Sequence, residues 1–219
     1  MLTFLEVEKN PKIKVYIEQA DQVMIALGYT EHSYPHVLKV SETAGNILET
    51  LGYDKREAEL ARVAGYMHDI GNTVNRFDHA HSGALMAFSL LDDMGADAKD
   101  VAIIVSAIGN HDEGTAFPVD PVAAALILAD KSDVRRSRVR NNEMSAFDIH
   151  DRVNYSVVKS ELNINNDQAI IELNIEIDTE VCSVVDYFEI FLERMLLCRK
   201  AAERIRLTFQ LVINGQKLL

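Results

Sequence analysis

The feature that most constrains this fold is a change of hydrophobic period near residue 150. Before it, apolar residues recur at helical spacing between strong start and stop signals. Asn10-Pro11 is an N-cap followed by proline at the first helical position, and the pattern runs to Gly28. A second helix is predicted from near Pro35 to Gly52. Asp54 with Glu57 forms a capping box that opens a third, running to about Asp69. Further helices are expected from about His79 to Gly95, from Asp97 to near Gly109, and from Asp120-Pro121 through Asp130. After the change, Leu162 and Ile164 alternate with polar residues, Asn165-Asn166-Asp167 supplies a turn, and Ile171, Leu173, Ile175 and Ile177 alternate again. Thr179 to about Arg204 returns to helix, and Leu207, Phe209, Leu211 and Ile213 alternate once more. The expected fold class is therefore mainly α: a helical bundle over 1–150, and a small C-terminal α+β unit of β-β-α-β order over 151–219. One face of its sheet should lie on the helix.

A chain of 219 residues with 48% hydrophobic content can bury one good core, or one core and a small appendage. The formal net charge of -12 sets the surface against nucleic acid polymers and anionic membranes. A phosphate can still bind where a cation or a local basic cluster reverses the field. Cys182 and Cys198 lack metal-site or disulfide-framework spacing and read as buried thiols of a reducing compartment. The start, MLTFLEVEKN, has no basic and apolar leader pattern, and the longest apolar run, Val122 to Ala129, is too short to span a bilayer. A cytoplasmic protein with no membrane association is expected.

Histidines mark the residues with chemistry to offer. Five of the seven histidines lie between residues 32 and 81, and His111 follows on a later turn. Ala61, Ala64, Gly65 and His68 share one helix face, so His68 projects where helices pack closely. The adjacent Asp69 sits roughly 100° around the helix, so the pair converges on one ion only from a helix end or with a metal between them. Asp130 falls in line with the apolar Ala123, Leu126 and Ile127, where an unpaired carboxylate costs several kcal/mol and demands a cation. His36 lies in the same way with Val40, Thr43 and Ile47. Taken singly, Asp130 also fits a buried salt bridge to arginine, and His36 a hydrogen-bonded core histidine. Taken together, His36, His68, Asp69, His79, His111 and Asp130 lie at or near the ends of five consecutive helices. Imidazole and carboxylate without cysteine suit iron, manganese, zinc or magnesium-like divalent ions. Two such ions need a bridging carboxylate, and Asp69 is the natural candidate.

This ordered set resembles the HD superfamily of metal-dependent phosphohydrolases. The motifs are His36 in HVLKV, His68-Asp69 in GYMHDIGN, His79 in HAHSGA, His111 in GNHDEG and Asp130 in ILADKSD. The resemblance covers roughly residues 30–140 and implies a helical HD domain. His79 and His111 match the two extra histidines of the dinuclear members. That implies two metals: one on His36, His68 and Asp130, the other on His79 and His111, with Asp69 bridging. The nearest pattern is that of the HD-type symmetric diadenosine tetraphosphate hydrolases, which share the H-A-x-x-G-A arrangement of His79 to Ala84 but lack the C-terminal β unit. EGTAFP after His111 departs from the cyclic dinucleotide phosphodiesterases, and Ile70-Gly71-Asn72-Thr73 from the alarmone hydrolases. Asn72 stands where deoxynucleotide triphosphohydrolases usually carry histidine. His81 competes with His79, but Gly83 lies four residues beyond His79 as in relatives, which favours His79. His32 is expected at the surface or behind the ligands, His150 at the surface, and Asp112 as a loop cap.

The resemblance implies hydrolysis of a phosphoester or phosphoanhydride in a nucleotide-like small molecule by a metal-bound water. The metals would be iron or manganese, with zinc, magnesium, nickel or cobalt as other options. Two other classes stay open: a dinuclear iron oxygenase of the HD type, and a non-catalytic metal-stabilised sensor. A basic run follows Asp130, comprising Lys131, Arg135, Arg136, Arg138 and Arg140. Lys131, Arg135 and Arg136 are the expected contacts to substrate phosphates, with Asp69 and Lys131 as the catalytic pair. The C-terminal unit carries no assignable motif, and a homodimer formed through an exposed strand edge is expected.

Overall fold

The computed structural model describes residues 2–140 and 148–219. The helical body comprises α1 (Phe4–Lys9), α2 (Pro11–Ala26), α3 (Tyr34–Thr50), α4 (Lys55–Met67), α5 (His79–Asp93), α6 (Ala98–Gly109) and α7 (Pro121–Ser132). Short 3₁₀ turns follow α4 (Ile70–Thr73) and α7 (Arg136–Arg138). The caps read from the sequence are in place: Asn10 Oδ1 accepts from the Lys12 amide, Asp54 and Glu57 close a capping box, and Asp120 accepts from the Ala123 amide. α1 was not expected; Thr3 and Glu6 form its own capping box.

The expected third helix stops at Met67, with His68 as its C-cap, instead of running to Asp69. The two residues that matter most therefore sit where the helix ends and the chain turns.

α7 is apolar on all sides, as a helix must be when neighbours surround it. Val122 to Ala129 are all buried, and α3, α4, α6 and α9 (Val184–Arg204) pack around them. The longest apolar run of the chain is thus its central helix. No helix among the described residues is long and apolar enough to cross a membrane.

α3 and α4 lie against one another backbone to backbone. A Cβ on Gly65 would stand 2.8 Å from Ser41 Cα and 2.9 Å from Ser41 N, and Ser41 Oγ donates to the Arg62 carbonyl at 2.8 Å across the same contact.

The C-terminal unit contains the expected order, β1 (Val157–Asn165), β2 (Ile170–Ile177), α9 and β3 (Thr208–Ile213), and adds α8 (Ile149–Ser156) before it and β4 (Gln216–Lys217) after it. The sheet order is β1-β2-β3-β4. β1 and β2 pair antiparallel, β2 and β3 parallel through the α9 crossover, and β3 and β4 antiparallel. Asn214 and Gly215 both have positive φ, the requirement of a tight two-residue hairpin turn. The alternation has its expected effect: Ile171, Leu173, Ile175 and Ile177 are buried while their neighbours are not. One buried apolar cluster continues from α7 into α9 and the sheet, so the sheet and α9 are fixed to the helical body by shared core.

Substituting Gly65→Ala should cost about 1–3 kcal/mol, because the new methyl meets backbone that cannot yield locally. A lower urea midpoint at unchanged slope is the expected reading; an unchanged midpoint would mean that α3 and α4 separate freely.

Candidate metal centre

Five connections of the helical body converge at one end of α7. His36 stands in the first turn of α3, His68 caps α4, Asp69 follows it, His79 opens α5, His111 follows α6, and Asp130 lies near the end of α7. All are buried except Asp130, whose side chain is 13% exposed. Asp78 enters α5 with φ 58, a left-handed conformation that Asp tolerates better than most residues.

Each imidazole is held by its Nδ1. His36 Nδ1 meets Asp133 Oδ2 at 2.8 Å, and His68 Nδ1 donates to the Gly65 carbonyl at 2.8 Å. His79 Nδ1 donates to the Arg76 carbonyl at 3.1 Å, and His111 Nδ1 to the Ile108 carbonyl at 2.6 Å. A carbonyl can only accept, so these bonds fix the proton on Nδ1 and leave Nε2 directed into the cluster. That second hydrogen bond is the usual support of a metal-binding histidine.

Around the Nε2 atoms lie two carboxylates. Asp69 Oδ2 is 3.5 Å from His36 Nε2 and 3.2 Å from His68 Nε2, while Asp69 Oδ1 is 3.6 Å from His79 Nε2. Asp130 Oδ1 is 3.4 Å from His36 Nε2 and 3.7 Å from His68 Nε2. His79 Nε2 and His111 Nε2 are 3.2 Å apart. Two ligand groupings emerge, His36–His68–Asp130 and His68–Asp69–His111. Buried His36 Nε2, His68 Nε2 and Asp69 Oδ2 have no hydrogen-bond partner among the described residues. Orphaned donor atoms of this kind inside a core fit a divalent cation.

The electrostatics agree. Burial pushes the Asp69 carboxyl up, and His68 with His36 more than reverses this, holding it well below the usual carboxylate range. For Asp130 burial is outweighed by Lys131, His36 and His68 in the same direction. Burial pulls the His68 pKa down, yet Asp69 and Asp130 push it up to about 10. Burial, His68 and His79 leave His111 well below its ordinary value and neutral. The cluster thus holds two ionised carboxylates and calls for positive charge, supplied by protons or by a metal.

The structure separates His79 from His81. His79 is inside the cluster, whereas the His81 side chain is 55% exposed and 3.6 Å from Asp78. Asp112 Oδ1 comes within 3.9 Å of His79 Nε2. His32 is half-buried, with its ring centroid 5.5 Å from that of His36 and Nδ1 bonded to the Thr30 carbonyl at 2.7 Å. His150 is exposed at the cavity over the centre.

The arginines are not where the basic run suggested. Arg135 is engaged with Asp133, Glu31 and Ser137, and Arg136 with the Tyr155 carbonyl and Asp178. Neither lines the cavity, so the structure does not bring these two expected phosphate contacts to the centre. Lys131 does reach it, 2.8 Å from Asp130 Oδ2 and 3.1 Å from Glu113 Oε2. Burial works against its charge, but Asp130 and Glu113 keep the ammonium protonated. Arg76, Arg138 and Arg194 line the cavity with it.

Several supporting residues escaped the sequence reading. Asp133, three residues after Asp130, orients His36 and gathers Lys39, Arg135 and Arg138 around itself; the Asp-x-x-Asp spacing on one helix face was the available signal. Asn72 Nδ2 donates to Asp69 Oδ1 and to the Asp69 carbonyl, both at 3.0 Å. Gly71 is required by space: a Cβ there would lie 2.0 Å from the His79 carbonyl oxygen.

Known proteins place this arrangement. Residues 34–135 match the HD domain family. An uncharacterised protein of Methanocaldococcus jannaschii is 23% identical over 188 residues, covering 75% of this chain and 72% of that protein. Ribonuclease Y of Bacillus subtilis is 25% identical and that of Campylobacter hominis 30%, each across 54% of this chain. The chain spans only about a fifth, 21%, of the length of those two enzymes. A solved chain from an uncultured Thermotogales bacterium, named as a predicted HD superfamily hydrolase, is 28% identical with a TM-score of 0.44, covering 57% of this chain and 67% of that one. Fold, cluster and family match agree on an HD helical domain, matched over residues 34–135, that carries a C-terminal α+β unit.

Proposed function

We propose that this chain is a metal-dependent hydrolase that cleaves a phosphoester or phosphoanhydride bond in a small nucleotide-like molecule, at a centre of two divalent cations. The observation that carries the reading is the two-sided placement of Asp69. One oxygen faces His36 and His68 and the other faces His79, which is what a bridging carboxylate requires. His36, His68 and Asp130 would hold one ion, and His79 and His111 the other.

Bound divalent ions supply Lewis-acid neutralisation of the phosphoryl oxygens and a water nucleophile at neutral pH. The chain's own residues do the rest. Asp133 and the Gly65, Arg76 and Ile108 carbonyls keep the four imidazoles in the Nδ1–H tautomer. Asn72 fixes the carboxylate plane of Asp69 through Oδ1. Lys131 stays charged and offers its ammonium to phosphoryl oxygens beside Asp130. Its charge suits it to stabilise the transition state and not to act as a base. Diadenosine tetraphosphate belongs on the substrate panel because of the His79 to Ala84 motif.

The ribonuclease Y similarity favours a second reading, cleavage of an RNA phosphodiester. The net charge of -12 opposes it, because polymer binding draws on a basic footprint. A short RNA in the same panel decides between them: turnover of the RNA above that of every nucleotide would replace the small-molecule reading.

Wild-type protein should carry two metals per chain by elemental analysis, His79→Ala should lose one, and His81→Ala should retain both. Equal stoichiometry in all three would remove the dinuclear assignment. Asp69→Asn should lower kcat/KM by at least about 100-fold, the rate equivalent of about 3 kcal/mol of charge stabilisation. Asp133→Asn should weaken metal affinity by about 10–100-fold without abolishing binding, as loss of a histidine's outer partner does; titration with manganese measures it.

A further inference from the structure

The metal centre opens into a cavity of about 490 Å³ that the helical body does not enclose alone. α9 contributes Phe191 and Arg194 to its wall, and α8 contributes Asp151 and Asn154. The cations around this cavity differ in how far their donors are spent. Arg138 is committed, with Nε on the Glu31 carbonyl at 2.9 Å and Nη1 on the Asp133 carbonyl at 2.7 Å. Lys131 is shared between Asp130 and Glu113. Arg76 places Nη1 between Asn72 Oδ1 and His79 Nε2.

Arg194 is different. Its Nε meets Glu113 Oε1 at 2.5 Å, and its guanidinium lies over the Phe191 ring, 4.6 Å from the centroid. Its two terminal nitrogens meet no acceptor among the described residues, and the side chain is 30% exposed. A guanidinium paired by charge at Nε and stacked on one face can turn its remaining N–H groups, as a planar fork, toward a phosphate. Glu113 is half-buried, its side chain 16% exposed, with Lys131 against Oε2 at 3.1 Å and Arg194 against Oε1. One carboxylate therefore spaces two cations: Lys131 beside the metal ligand Asp130, and Arg194 on the opposite side of Glu113.

Carboxylates stand at the outer edge of the cavity, where the nearby Arg140 is committed to Asp21 and the Tyr29 carbonyl. Leu27 to Tyr29, Asp148 and Asp151 also line an outer hollow that none of the six cluster residues reaches, so they form the rim. Two carboxylates there turn a second anionic group inward, toward α9.

Resting on the hydrolase reading above, we propose that Arg194 binds the phosphate next to the one attacked, so that the C-terminal unit selects substrates with two or more linked phosphates over phosphomonoesters. Glu113 acts as a positioning residue for both Arg194 and Lys131. The competing role for Arg194 is structural, a tie between α9 and the α6–α7 connection.

The test uses the full chain loaded with manganese, and compares a nucleoside diphosphate with its monophosphate. Wild type should prefer the diphosphate, and Arg194→Gln should reduce that preference in kcat/KM by about tenfold or more, the loss of one charged hydrogen bond, chiefly through KM. Arg194→Lys should recover part of it. An unchanged preference, or an equal loss on both substrates with a lowered melting temperature, overturns the proposal. Calorimetric binding of a methylene-bridged diphosphate analogue separates this inference from the reading beneath it. Tenfold weaker binding by Arg194→Gln, with no turnover by any form, keeps the arginine assignment and removes the hydrolase. Turnover with unaltered analogue binding does the reverse.

Discussion

Two ionised carboxylates and four imidazoles lie within the packed end of a helical bundle, and the rest of the structure is arranged around that burden. An unpaired buried charge costs several kcal/mol. Asp69 and Asp130 are tolerable because nitrogens surround them: His36, His68, His79 and Asn72 for the first, His36, His68 and Lys131 for the second. The compensation is incomplete at His36 Nε2, His68 Nε2 and Asp69 Oδ2, and that remainder is what a cation satisfies. The same imbalance that would destabilise an ordinary core is what a bound cation would relieve.

Bringing six histidine and aspartate side chains together from five helices and their ends requires helices that approach closely and end at set places. Small residues supply the first: Gly65 lies against the Ser41 backbone, and Gly71 against the His79 carbonyl. Helix termination supplies the second. α4 stops at Met67, so its last carbonyls are free to receive side chains, and Gly65 O accepts a hydrogen bond from His68 Nδ1–H. Ile108 O does the same for His111 beyond α6. Helix ends, usually a cost in unsatisfied carbonyls, become the parts that fix the tautomer of the ligands.

Most of the body was legible because its signals are local. Caps, prolines and glycines mark helix limits within a turn, and alternation marks β2 and β3. The convergence of the cluster residues was legible for a different reason: a charged or imidazole side chain in an apolar stripe, as Asp130 is among Ala123, Leu126 and Ile127, contradicts its surroundings and so declares a partner. What escaped was set by tertiary geometry. Nothing in the sequence tells that Arg135 turns to Asp133 and Glu31 while Arg194, 59 residues further on, turns to the cavity. A run of basic residues gives charge but not direction. Asn72 and Glu113 were silent because an amide or carboxylate on a short connection is ordinary until its neighbour is known.

The placement of the cations also resolves an apparent conflict between composition and chemistry. A chain of net charge -12 should repel phosphates, yet the field that matters is the one inside the cavity, where low dielectric magnifies nearby charge and distant surface acids are screened. There Arg76, Lys131, Arg138 and Arg194 face the cluster, and each is tethered to a carboxylate or amide that prevents it from swinging into solvent. On the proposed hydrolase reading the surface charge would work as a filter. A long polyanion would meet the acidic exterior along its whole length, while a compact phosphorylated molecule would pass Asp148 and Asp151 and reach the cations beside the cluster. Size discrimination of this kind would need no dedicated recognition loop, because it would follow from placing cations inside an acidic shell.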